Sequence, residues 1–145
     1  MSKTILIVED HEGNASTFRD YILTFFPKWI IFTALSGQEA VTQTIEHSPD
    51  VIILDIALAD KISGIRVVKE VAKTDKKPRI ILITALDDYA TDGPRPGRPW
   101  IEQFEENERP LVAGFFQKSR LKWADFITAI AKAADVPVPE GIENL

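Results

Sequence analysis

The chain has no cysteine, which excludes a disulfide framework, a thiolate metal centre and a cysteine nucleophile. Its only two histidines, His11 and His47, stand far apart, so zinc has no natural ligand set. Both are expected at the surface, with His11 at the rim of any crevice. No apolar run approaches the roughly 20 residues that span a bilayer. The opening Met-Ser-Lys-Thr-Ile-Leu-Ile-Val-Glu-Asp meets charge too early to be a signal peptide. A cytoplasmic protein that neither enters a membrane nor is exported is expected. A basic excess is also missing. With 17 basic against 22 acidic residues the net charge is -5, which works against direct binding of nucleic acid.

What is present is enough for one core: 145 residues, of which 45% are hydrophobic and 27% charged. Five short apolar, β-branched runs recur at Thr4 to Val8, Trp29 to Thr33, Val51 to Leu54, Arg79 to Ile83 and Ala113 to Gln117. Segments of helical period separate them, which predicts a βα repeat. Because the runs are continuous rather than alternating, the strands suit a parallel sheet covered by helices on both faces.

The first helix is expected to carry Phe18, Ile22 and Phe25 on one face and to stop before Pro27. The second starts at a Ser36 cap, with Glu39 completing a capping box. A third follows Gly64 with Ile65, Val68 and Ala72 inward. The last places Trp123, Phe126, Ile127 and Ile130 at i, i+3, i+4, i+7 spacing. Between Thr84 and Lys118 the pattern breaks. Asp92 to Pro99 is too rich in proline and glycine for a helix and predicts an exposed loop. A helix is expected to restart at Pro99, with Trp100, Ile101 and Phe104 inward and Pro110 ending it. The stretch Asp87 to Val112 holds seven acids and three arginines, a balance of -4 in a chain of -5. Residues 1–135 are expected to form the domain, and 136–145 a tail or linker stump.

Polar residues stand at the strand ends. Glu9 and Asp10 close the first run, Asp55 the third, Thr84 the fourth and Lys118 the fifth. In a doubly wound parallel sheet the carboxyl ends of the strands share one edge, so these five groups are expected to meet. Singly each has an ordinary reading as a helix-end charge, a strand residue or a solvated lysine. Together they form a site. Crowded carboxylates call for a cation, and oxygen ligands without histidine or cysteine suit Mg2+. A carboxylate beside a cation, a hydroxyl and an ammonium is equipped to accept a phosphoryl group on Asp55, with Thr84 and Lys118 holding the phosphoryl oxygens.

Ile-Leu-Ile-Val-Glu-Asp (5 to 10), Ser-Gly-Gln-Glu-Ala (36 to 40), Pro-Asp-Val-Ile-Ile-Leu-Asp (49 to 55), Ile-Thr-Ala (83 to 85) and Gly-Phe-Phe-Gln-Lys (114 to 118) occur in order. Through them nearly the whole chain resembles a receiver domain of the two-component response-regulator family. Apart from an extended, Gly/Pro-rich loop between strands 4 and 5 (Thr84 to Lys118), longer than the family's and the largest departure from it, the resemblance implies a flavodoxin-like sheet of order 2-1-3-4-5. It implies Asp55 as phosphoacceptor, Glu9, Asp10, Asp55 and the carbonyl of Ala57 as Mg2+ ligands, and Phe115 as an aromatic switch. Its implied partners are a sensor histidine kinase or phosphotransfer protein and a downstream protein that reads the surface of the fourth helix and fifth strand. Two smaller departures are also present. Ser119 follows the lysine where the family usually has proline, and Ala59 replaces a frequent proline in a loop one residue longer than usual.

Other classes are a phosphorylation-independent interaction domain and an aspartate-nucleophile phosphatase. The second is disfavoured because Ala57 stands where a leaving-group acid is expected. Ala57 and Leu86 also occupy the positions that, by the resemblance, flank the attacking water during dephosphorylation. Neither side chain can orient water. The phosphorylated form is therefore expected to decay slowly and Ala57→Asn to quicken the decay, as followed by loss of radiolabel. Rapid decay in the parent protein would refute this.

Overall fold

The computed structural model describes residues 2–56, 63–85 and 94–145. Five strands, β1 (Thr4–Val8), β2 (Ile30–Ala34), β3 (Val51–Asp55), β4 (Arg79–Thr84) and β5 (Val112–Gln117), form one parallel sheet of order β2-β1-β3-β4-β5. Alternation along each strand sends side chains to opposite faces. Leu6, Val8, Ile52, Leu54, Ile80 and Leu82 face one way, under α2 (Gly37–His47) and α3 (Gly64–Val71). Ile5, Ile7, Val51, Ile53, Ile81 and Ile83 face the other way, under α1 (Glu12–Phe25) and α4 (Trp123–Ala133). Burial on both faces explains why the central strands read as unbroken apolar runs.

The helix ends follow local chemistry. Ser36 caps α2, its Oγ accepting from the Glu39 amide at 3.1 Å, while Glu39 reaches back to the Leu35 amide at 3.3 Å, one residue before the one a capping box uses. Ser63 caps α3, accepting from the Arg66 amide at 3.4 Å. At the amino ends of the strands, Asp50 accepts from the Thr4 amide at 2.9 Å and from Lys76 Nζ at 3.0 Å. Burial opposes ionisation of Asp50, yet these donors together hold its carboxyl below the usual carboxylate range.

One expectation fails in the stretch before β5. No α-helix restarts at Pro99. Residues 94–111 hold two single 3-10 turns, Trp100–Gln103 and Arg109–Leu111, and Pro110 lies within the second rather than ending a helix. Trp100 and Phe104 are buried as expected, but Ile101 is 41% exposed because a 3-10 turn does not repeat the α-helical stripe. Prolines 94, 96, 99 and 110 remove amide donors, so side chains supply the missing order. Buried Gln103 accepts from the Arg95 amide at 2.8 Å and donates to the Arg95 carbonyl at 2.7 Å. Glu108 accepts from the Glu105 amide at 2.8 Å and from Lys69 of α3 at 3.0 Å. Residues 94–98 are exposed, as expected of the Gly/Pro stretch, and they are pinned by Gln103. Ser119, in the place of the expected proline, lies in a 3-10 turn, Lys118–Arg120. In the tail, Ile142 packs back against the α1/α4 side of the core.

Gly64 opens α3 directly behind β3. A Cβ there would lie 2.6 Å from Ile56 Cα and 2.7 Å from the Asp55 carbonyl oxygen, both backbone atoms with no room to yield. Gly64→Ala is therefore expected to lower stability by about 1 to 3 kcal/mol in urea unfolding and to shift the Asp55 and Ile56 amide resonances. Unchanged stability and resonances would contradict this close approach.

Candidate functional site

Register alone delivers the polar residues to one edge. Val8 pairs with Leu54, Asp55 with Ile83 and Thr84 with Gln117, so the residues that follow these pairs emerge side by side at the carboxyl ends of four strands. The ladder continues one step further, with the Glu9 amide donating to the Ala34 carbonyl at 3.0 Å and the Ile56 amide to the Ile83 carbonyl at 3.0 Å.

Lys118 completes the arrangement from β5. Its ammonium donates to Glu9 Oε2 at 2.8 Å and to Asp55 Oδ2 at 2.9 Å. Both acceptors are buried, Glu9 at 1% and Asp55 at 3% exposure. Asp10 is exposed at the rim, yet it, Glu9 and Asp55 each offer an oxygen within 4.8 Å of the others. Thr84 is fully buried at the end of β4, one residue past the partner of Asp55. Phe115 is half-buried on β5 against the α2/α3 side of the core. Ala57 and Leu86 lie outside the described residues.

Burial pushes the Asp55 carboxyl up to about 6 and Glu9 adds to the rise, against the opposing pull of Lys118. Burial works in the opposite sense on Lys118, but its bonds to Glu9 and Asp55 outweigh it and raise the ammonium's pKa. Three carboxylates against one ammonium leave two negative charges in excess at full ionisation. The donors are all hard oxygens without imidazole or thiolate, a set that fits Mg2+.

Sequence reasoning missed several supporting contacts. His11 caps α1, its Nδ1 accepting from the Asn14 amide at 3.3 Å, and its own amide donates to Glu9 Oε1 at 3.3 Å. Asn14 Nδ2 reaches the same Glu9 oxygen at 3.5 Å. Histidine is not a usual cap, so only the adjacency of His11 to the acidic pair hinted at this. The glycine opening α3 was the available sign of the close approach behind Asp55.

A parallel sheet of this order, with an acidic pocket at its carboxyl edge, defines a doubly wound fold carrying an oxygen-lined polar site. The response regulator receiver domain model matches residues 5–93. The polar-differentiation response regulator DivK of Brucella ovis is 39% identical over 93 residues, which span 64% of this chain and 72% of that protein. Among solved structures, the response regulator domain of Thermotoga maritima CheB superposes with a TM-score of 0.72 at 24% identity, covering 94% of this chain and 99% of that one. A CheY-like receiver domain from Methylobacillus flagellatus gives a TM-score of 0.67 at 17% identity, covering 92% and 99%. The chain belongs to the response regulator receiver domain family. Members of this family are signalling switches rather than turnover enzymes. The sequence match ends at residue 93, before the divergent 94–111 segment and before Lys118, whereas the likeness in fold continues through β5 and α4.

The raised Asp55 pKa fixes the sign of a pH effect. The folded state holds the Asp55 proton more tightly than the unfolded chain, so this contribution to stability is complete below about 3.8 and is lost as pH rises through about 6. Asp55→Asn removes that loss. In chelator, the variant's stability relative to the parent is expected to be greater at pH 7 than at pH 4. A pH-independent difference between the two urea titrations would rule this out.

Proposed function

We propose that the protein is a phosphoacceptor switch of a two-component phosphorelay, with Asp55 as the residue that receives the phosphoryl group. The observation that carries this reading is the Lys118 ammonium within 2.9 Å of buried Asp55 and 2.8 Å of buried Glu9. An Asp55 oxygen attacks phosphorus, forming an acyl phosphate. The bond from phosphorus to the donor's imidazole nitrogen breaks, and its electron pair stays with that nitrogen. Lys118 neutralises negative charge on the transferring group, and the Thr84 hydroxyl donates to one of its oxygens.

Glu9, Asp10, Asp55 and the Ala57 carbonyl are the proposed Mg2+ ligands. Bound there, Mg2+ supplies charge neutralisation for the phosphoryl oxygens. Attack by Asp55 requires its ionised form, which the pKa of about 6 leaves dominant at pH 7. A sensor histidine kinase or phosphotransfer protein is the proposed donor. The proposed output surface is the half-buried Phe115 on β5 together with the 94–111 segment that precedes this strand. Residues 1–135 constitute the proposed switch domain, working in the cytoplasm on protein partners rather than nucleic acid.

Incubation with acetyl phosphate is expected to add one phosphoryl group per chain with Mg2+ and none with chelator, as read by intact mass. Asp55→Asn should abolish labelling, and Lys118→Ala should slow it by about tenfold or more. Undiminished labelling of Asp55→Asn would overturn the assignment, and phosphorylation-independent binding to partners would become the function.

A further inference from the structure

Among the described strands the sheet ends at β5, whose one strand partner there is β4. All six β5 residues, Val-Ala-Gly-Phe-Phe-Gln, are half-buried, whereas five of the six in β4 are buried. β5 has neither charge nor proline, the devices that usually keep a strand edge from recruiting another strand. The opposite edge is guarded, since Gln43 Nε2 donates to the Thr33 carbonyl of β2 at 2.8 Å.

A cleft lies on each face beside β5. On the α2/α3 side, a cleft of about 220 Å3 is lined by Leu82, Pro99, Trp100, Ile101, Val112 and Phe115, all apolar. Val112 and Phe115 share this face although three residues apart, because the register shift between Ile80 and Ile81 bulges β5 at Ala113. On the α1/α4 side, Ala113 borders a cleft of about 260 Å3 with Thr128, Arg79, Lys132 and Asp125. Two cations face one carboxylate there, and neither Arg79 nor Lys132 is in an ion pair among the described residues.

We infer that the β5 edge docks an extended segment of a partner protein whose side chains alternate between large apolar and acidic residues. An added strand turns successive side chains to opposite faces, so one enters the Trp100 cleft and the next meets Arg79 and Lys132. Backbone hydrogen bonds to β5 supply affinity and the two unlike clefts supply the pattern. A second copy of β5 fits less well, because its six residues include no acid to meet the two cations. The inference deepens the proposed output surface and rests on that reading, but it uses nothing of Asp55 chemistry, so failure of phosphoryl labelling and failure of peptide docking are distinguishable.

The probe is an acetylated octapeptide of alternating valine and glutamate, titrated to millimolar concentration into the 15N-labelled full chain. Shifted resonances and slowed amide exchange at Val112–Phe116 are expected. Exchanging glutamate for lysine in the peptide should weaken binding about tenfold, and methylating alternate backbone amides should abolish it. Surface variants Ile101→Lys and Lys132→Glu, checked for folding by circular dichroism, should each weaken the glutamate peptide about tenfold. Adding Arg79→Glu to Lys132→Glu should reverse the preference toward the lysine peptide. The inference is overturned by absence of β5 perturbation, by equal binding of the two peptides, by survival of binding after amide methylation, or by sedimentation showing that the free protein pairs with a second copy through β5.

Discussion

The ammonium of Lys118 joins two buried carboxylates that arrive on different strands, and the carboxyl edge of the sheet is organised around that contact. Without it, two buried carboxylates would face each other with no ammonium between them. Removing one partner of such a buried set typically costs about 3 to 5 kcal/mol. Lysine neutralises them only in part, because burial and Glu9 still push the Asp55 pKa upward. The site is thus left short of positive charge, an electrostatic demand that a bound cation would meet.

The same edge is continuous with the divergent segment. Gly64 touches the backbone of Asp55 and Ile56, and its amide donates to the Ile56 carbonyl at 3.0 Å. The helix that Gly64 opens carries Lys69, which binds Glu108 between the two 3-10 turns. Asp55 and the 94–111 segment are therefore linked through one rigid element. Such continuity is a physical route for coupling, which further requires that the element have two arrangements. Residues 94–111 are themselves cross-linked by Gln103 and Glu108.

Much of this was legible in the residues. The five strands fell within a residue of their observed bounds because burial on both faces writes a local apolar run. Four α-helices followed from periodicity and from Ser36 and Gly64 at their starts. The polar groups at strand ends were visible as interruptions of those runs. The segment before β5 was not legible as built. Trp100, Ile101 and Phe104 fit a helical stripe, but prolines removed the donors that a helix needs, and order came from Gln103 reaching back eight residues to Arg95.

By itself the sequence determined which stretches would be strands, which residues would punctuate their ends, and that those residues were oxygen donors and one ammonium. Those are properties of short windows, where hydrophobic burial and backbone preference act locally. Only the tertiary structure decided that Lys118 meets Glu9, 109 positions away, that Gly64 abuts Asp55, and that β5 was left at an edge with unlike clefts on its two faces. Such contacts depend on strand order and register, and no local pattern encodes the distance between residues that the chain brings together only by closing the sheet.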